Sequence, residues 1–252
     1  MTPLLGLVLA GGRSTRMHLD KASLTYGARP QLAVAYDLVA RHVEHAFVSV
    51  RPDQAAEPLR SRFPQVVDGA EGRGPIAGII AAQARHPDAG WLVVACDLPY
   101  LDDATLDALV RGRDARRLAT AFRSSHDALP EPLCAIYEPA SRVAILAQVS
   151  GGRDCPRKFL LSHDALLLEP LRPDALDNAN TPADAEAARA VLSSAGAGGC
   201  RDSPFITMPC CASRPDARPR PSKPERGRRR RSMPNSRCGT DSGSLPRSCR
   251  WP

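Results

Sequence analysis

Over its first 192 positions the chain alternates short, nearly uninterrupted apolar runs with longer stretches whose apolar residues recur at helical intervals. That alternation predicts repeated strand–helix–strand units and a mostly parallel sheet with helices on its faces, a three-layer Rossmann-like α/β fold. Residues 4–10 read as a first strand, followed by a polar, glycine-opened loop from Gly11 to Lys21. A helix is expected over 30–41, with Pro30 at its start. Strands follow at 46–50 and, shorter, at 65–67. Gly72, Gly74 and Pro75 then punctuate the chain before a helix over 76–85 built from small apolar residues. The run Trp91 to Cys96 contains no polar residue, which marks a central strand covered on both faces. Asp97 follows it directly. Asp102 or Asp103 caps a helix to about Val110, and strands are expected at 118–122, 131–137 and 165–168. Helices are expected over 139–149 and from Pro156. A last helix takes Thr181 as its cap and Pro182 as its first residue, and runs to Leu192.

From Ser193 the pattern ends. Residues 193–252 hold nine Pro, ten Ser and six Gly but two aromatics, Phe205 and Trp251. Such a segment buries too little apolar area to offset chain entropy, which predicts disorder. The chain is therefore divided into a domain at 1–192 and a basic Pro/Ser/Arg-rich tail at 193–252. This division changes the meaning of the net charge of +7. The tail carries 13 Lys and Arg against 4 Asp and Glu, leaving 21 basic and 23 acidic residues before it. The basic excess thus says nothing about what the domain binds, and no nucleic acid is expected there. Within the tail, Arg228 to Arg231 could form a nucleic-acid patch or nuclear-type signal; a solvated arginine-rich run is the plainer reading.

Cys96, Cys134 and Cys155 are too widely spaced for a disulfide framework or zinc site, and read as reduced, mostly buried small hydrophobes. Cys200, Cys210 and Cys211 lack the paired short spacing of a zinc site. No apolar run approaches the roughly 18 residues of a membrane helix. The apolar start is too short for a signal sequence and has no preceding Lys or Arg, so a cytoplasmic protein is expected.

The most informative stretch is Leu9-Ala10-Gly11-Gly12-Arg13-Ser14-Thr15-Arg16-Met17-His18-Leu19-Asp20-Lys21. It matches neither the dinucleotide motif G-x-G-x-x-G nor the ATPase motif G-x-x-x-x-G-K-S/T. Two glycines at the carboxyl end of a strand nevertheless let the backbone approach a ligand and turn its amides toward an anion. Arg13, Arg16 and Lys21 add three cations, which suits a triphosphate. Ser14 lies beside no base and is suited to hydrogen bonding with that ligand. The six histidines show no metalloprotease spacing, and no G-x-S-x-G elbow is present.

This opening resembles the L-A-G-G-x-S-x-R-M-G-x-D-K signature of MobA-like nucleotidyltransferases, the molybdenum cofactor guanylyltransferases. Gly74-Pro75-Ile76-Ala77-Gly78 resembles the family's G-P-L-A-G segment, Cys96-Asp97-Leu98-Pro99 its C-D-x-P, and Asn178-Ala179-Asn180-Thr181-Pro182 its N-x-N-T-P element. The resemblance spans about 5–192 and leaves the tail without a counterpart. One position departs: His18 stands where the family has Gly, and a positive φ there would be tolerated less well.

The resemblance implies the family's nucleotidyltransferase fold and magnesium-dependent transfer of GMP from GTP to molybdopterin. Leu9, Ala10, Gly11, Gly12, Ser14, Lys21, Asp68, Gly78 and Asp97 would bind the nucleotide, and Arg16, Lys21 and Asp97 would act in catalysis. Asp97 is the expected metal ligand, because an aspartate at the end of a central strand sits where open α/β sheets bind ligands, and magnesium needs one or two carboxylates. Its plainer alternative is a turn or cap before Pro99. Asp68 beside Gly69 is equally an ordinary turn residue. Arg157 and Lys158 would meet the acceptor phosphate or simply begin an exposed helix, and Asn180 would serve the acceptor or a cap.

Molybdopterin and GTP are the implied ligands, with other molybdenum cofactor proteins or molybdoenzymes as implied partners and no membrane. Three alternatives stay open: CTP or another nucleotide with molybdopterin or a sugar or polyol phosphate, a degenerate member that binds nucleotide without turnover, and a tail that binds nucleic acid.

Overall fold

A computed structural model describes residues 2–11, 21–26, 28–69, 73–179 and 181–197. Its strands are β1 (Leu4–Leu9), β2 (Ala46–Val50), β3 (Gln65–Val67), β4 (Gly90–Ala95), β5 (Ala119–Arg123), β6 (Pro130–Tyr137) and β7 (Ala165–Leu168). The helices are α1 (Gln31–Ala40), α2 (Pro75–Arg85), α3 (Asp103–Arg111), α4 (Ser141–Ser150), α5 (Pro156–Ser162) and α6 (Pro182–Ala197). The strands form one sheet in the order β3-β2-β1-β4-β6-β5-β7.

All neighbouring pairs are parallel except β4–β6 and β5–β6, so β6 alone runs backwards. The cause is local. Residues 124–129 are too few for the crossover of a dozen or more that a parallel return requires, so the chain comes back as a hairpin.

Alternation along the strands sends successive side chains to opposite faces. On one face, Leu32 and Val39 of α1 and Leu106 and Leu109 of α3 pack against Val8, Val48, Leu92 and Ile136. On the other, Ile76 and Ile79 of α2, Ile145 of α4 and Phe159 of α5 pack against Leu7, Trp91, Val93 and Tyr137. Every residue of β4 is buried, as its apolar run predicts. The resulting order is helix, sheet, helix.

Helix starts follow local chemistry. The Asp102 carboxylate accepts from the Thr105 amide at 2.9 Å, making it, and not Asp103, the cap of α3. Thr181 and Asp184 cap α6 reciprocally, each backbone amide bonded to the other's side chain at 2.8 and 3.1 Å. Gly74, at φ +62°, turns the chain into α2 just ahead of Pro75.

A third, smaller cluster joins Ala185 and Ala188 of α6 to Leu24, Tyr26 and Ala179. Arg189 fastens it by donating to the Thr25 carbonyl at 2.9 Å. Helix α6 continues to Ala197, past the expected end at Leu192; the rest of the expected tail lies outside the described residues. Cys96 and Cys134 are buried as expected, whereas Cys155, at the cap of α5, is exposed.

Candidate active site

Chain order places a switch point beside β1. The chain leaves β1 through α1 to β2 on one side, and after β3 crosses through α2 to β4 on the other. Ligands of open α/β sheets bind at the carboxyl ends of strands flanking such a point. Leu9 pairs with Ala95, and the Cys96 amide donates to the Leu9 carbonyl at 3.2 Å. Gly11 and Asp97 each stand two residues beyond this paired end, so they share one rim.

Asp68 comes to the same place from β3. Its amide donates to the Val50 carbonyl at 2.9 Å, and a Cβ built on Gly11 would lie 3.7 Å from Asp68 Oδ2. Burial pushes the Asp68 carboxyl above its ordinary value, opposed by the nearby Arg51 guanidinium and a hydrogen bond with Ser49. Burial and the Asp97 carboxylate likewise raise the Tyr26 hydroxyl. From the other side, the Ala179 amide donates to the Asp97 carbonyl at 3.0 Å.

Two arginines that sequence reasoning missed complete this rim. Arg51, immediately after β2, donates from Nη1 to the Gly11 carbonyl at 2.6 Å and forms two bonds to Asp53. Arg60 is 1% exposed and donates from Nη2 at 2.8 Å and from Nε at 3.3 Å to the Ala10 carbonyl. It also pairs with Glu57. Arg51 carried a positional signal, because it follows the end of a parallel strand as Gly11 and Asp97 do. Arg60 had no such signal: it sits within a connection whose other marks, Ala55, Leu59 and Phe63, are those of packing.

The expected nucleotide residues are otherwise distributed as follows. Leu9, Ala10, Gly11, Asp68 and Asp97 meet on the rim. The Ala10 amide, however, donates to the Ser49 carbonyl at 3.2 Å, which commits it to the β1–β2 ladder and leaves it no part in holding a phosphate. Gly78 lies beneath the rim in α2, where an added Cβ would come within 2.9 Å of Leu9 Cδ2 and 2.4 Å of Ser49 Oγ. Gly12, Ser14, Arg16, His18 and Asn180 lie outside the described residues, as does the side chain of Lys21.

For the acceptor, Arg157 lies at the start of α5 with its guanidinium held by Asp127 at 2.9 Å and Glu131 at 3.2 Å, while Lys158 is exposed. Because β6 runs backwards, its start and Glu131 belong to the same rim as the end of β4. Among the described residues no group of three or more His, Cys, Asp or Glu could hold a metal. A half-buried carboxylate such as Asp97 still suits a hard cation whose remaining positions are filled by ligand oxygens and water.

Residues 6–166 match the MobA-like NTP transferase domain. The chain belongs to this family. Its members are nucleotidyltransferases, and the chain is an enzyme of that class. It is 36% identical over 183 residues to the molybdenum cofactor biosynthesis bifunctional protein of Synechocystis sp., covering 73% of this chain and 53% of that protein. The chain thus spans about half the length of that relative. It is 32% identical over 186 residues to the molybdenum cofactor guanylyltransferase of Pseudomonas fluorescens, covering 71% of this chain and 90% of the relative. Molybdopterin-guanine dinucleotide biosynthesis protein A of Archaeoglobus fulgidus shares the fold with a TM-score of 0.65 and 24% identity, over 75% of this chain and 99% of that one. Family membership and the mixed, mostly parallel sheet agree with the reading of the opening motif.

Proposed function

We propose that the enzyme transfers GMP from GTP to the terminal phosphate of molybdopterin, releasing pyrophosphate and forming the guanine dinucleotide cofactor. The observation that carries this reading is the single rim on which Gly11, Asp68 and Asp97 meet, with the backbone leading into the glycine loop anchored from behind. The names of the guanylyltransferase relatives supply the donor and acceptor. The protein would work in the cytoplasm, and residues 1–192 with the rest of α6 would suffice for the reaction.

In this reaction an acceptor phosphate oxygen forms a bond to the α-phosphorus of GTP while the bond from that phosphorus to the β-phosphate oxygen breaks, and pyrophosphate leaves. A phosphate monoester is largely ionised at pH 7, so no general base is required. Catalysis then rests on alignment and charge neutralisation. The Gly11 and Gly12 amides and the Ser14 hydroxyl would hold phosphate oxygens, and Arg16 and Lys21 would offset the negative charge of the departing pyrophosphate. Asp68 would receive nucleotide donors near Gly11. Asp97 would hold magnesium, which supplies further neutralisation when bound. Arg157, Lys158 and Asn180 would serve the acceptor; Arg157 is already shared between two carboxylates, which steady its direction but temper its charge.

The test is pyrophosphate release with molybdopterin and each of GTP, CTP, UTP and ATP. Release with GTP well above the others is expected. A preference for CTP would reassign the base. Nucleotide binding without release from any of them would identify a non-catalytic member of the family.

A further inference from the structure

The β1–β2 ladder ends one rung early. The Ala10 amide donates to the Ser49 carbonyl, and in a parallel ladder the Ala10 carbonyl would next accept from the amide two residues further along β2, that of Arg51. That amide turns instead to Gln54 Oε1 at 3.4 Å. The vacant place on the Ala10 carbonyl is filled by the Arg60 guanidinium, through Nη2 at 2.8 Å and Nε at 3.3 Å. The next carbonyl, that of Gly11, is met by Arg51 from the same connection. Carbonyls of a continuing strand alternate between neighbours; these two successive ones are both drawn to guanidiniums of the 51–60 segment.

Burying a guanidinium is expensive unless its donors are matched. Arg60 is among the largest fully buried side chains, with Glu57, itself 41% exposed in its side chain, as its ionic partner. A plain packing role at this position would be served more cheaply by an apolar side chain. What the guanidinium adds is a fixed direction for one peptide plane. In a trans peptide the carbonyl and the following amide point oppositely, so holding the Ala10 carbonyl toward β2 aims the Gly11 amide toward β4, the side on which Asp97 lies.

We infer that Arg60 is a positioning residue for the nucleotide site: it replaces a backbone rung and locks the Ala10–Gly11 peptide so that the glycine loop starts with its first amide directed at the bound phosphates. The inference rests on the nucleotidyl-transfer reading and adds to it the device that orients the cradle. Glu57 holds Arg60 and acts one step further back.

The test compares Arg60→Met, Arg60→Lys and Glu57→Gln with Arg113→Met in the full-length protein, reading Tm without nucleotide and KM and kcat for the nucleotide that the wild type uses best. Arg113 is a control of like chemistry at the opposite rim, bonded to the buried Glu138 at 2.6 and 2.8 Å and to the Thr2 carbonyl at 3.2 Å. Removing charge-assisted bonds from Arg60 is expected to raise nucleotide KM about tenfold or more. Arg60→Lys should recover part of that, and Glu57→Gln, which keeps the guanidinium, should show a smaller rise. Arg113→Met should lower Tm and leave KM unchanged. Should Arg60→Met prove insoluble, Arg60→Lys and Glu57→Gln carry the test alone. Nucleotide KM at the wild-type value in folded Arg60 variants would overturn the inference while leaving the reaction intact. A wild type that binds no nucleotide would overturn the reaction, and the inference with it.

Discussion

Gly78 shows at the residue scale how little room lies beneath the site. An added methyl would meet Ser49 Oγ at 2.4 Å and Leu9 Cδ2 at 2.9 Å, both on strands whose ends form the rim. Gly78→Ala should therefore destabilise the fold by about 1–3 kcal/mol, the range of overpacked cores, read as a fall in Tm. Gly69, with no atom within 4 Å of an added Cβ, is the matching control, and Gly69→Ala should stay within roughly 0.5 kcal/mol. Lys21→Ala should remove turnover while leaving Tm unchanged, because the expected role of Lys21 is charge neutralisation. The positions of Gly11 and Asp97 directly after strands were legible in the sequence, whereas Asp68, beside Gly69 an ordinary turn residue, was marked only through the family resemblance. Arg60 was not legible, since nothing in a linear pattern says that a buried arginine will take the place of a backbone rung.

Element boundaries follow caps, and caps carry testable pH dependence. Burial alone would raise the Asp102 carboxyl, but hydrogen bonds from the Thr105 hydroxyl and amide and from Arg172 outweigh it and hold the group below its ordinary value of 3.8. A depressed folded pKa contributes stability above the unfolded value and loses it as pH falls through the folded one. Asp102→Ala should cost about 1 kcal/mol near neutral pH, and its Tm gap from the wild type should narrow as the pH falls below about 4. An undiminished gap in acid would show that charge plays no part in the cap. Most elements were predictable from periodicity and punctuation alone. The reversal of β6 was also encoded, in the short interval between Phe122 and Glu131, but only as a statement about which connections fit and not as a pattern within either strand. The extension of α6 to Ala197 ran against composition, because Ser193, Ser194 and Gly196 are poor helix formers.

At the scale of the whole molecule, the basic excess and the proposed chemistry belong to different parts of the chain. A chain ending at Ala197 should keep the Tm and turnover of the full-length protein, whereas any affinity for nucleic acid should disappear with the removed residues and, before removal, fall steeply with salt. Loss of turnover on truncation would instead tie the tail to the reaction. The sheet order explains why one rim gathers residues from four strands: the switch point beside β1 brings the carboxyl ends of neighbouring parallel strands together there. Asp97 is proposed to work on that rim, on a nucleotide bound at the glycine loop, and pyrophosphate release by Asp97→Asn, measured with GTP and molybdopterin beside the variant's thermal unfolding, tests this. Release should fall at least about a hundredfold with unfolding as in the wild type; wild-type release from the folded variant would remove Asp97 from the reaction.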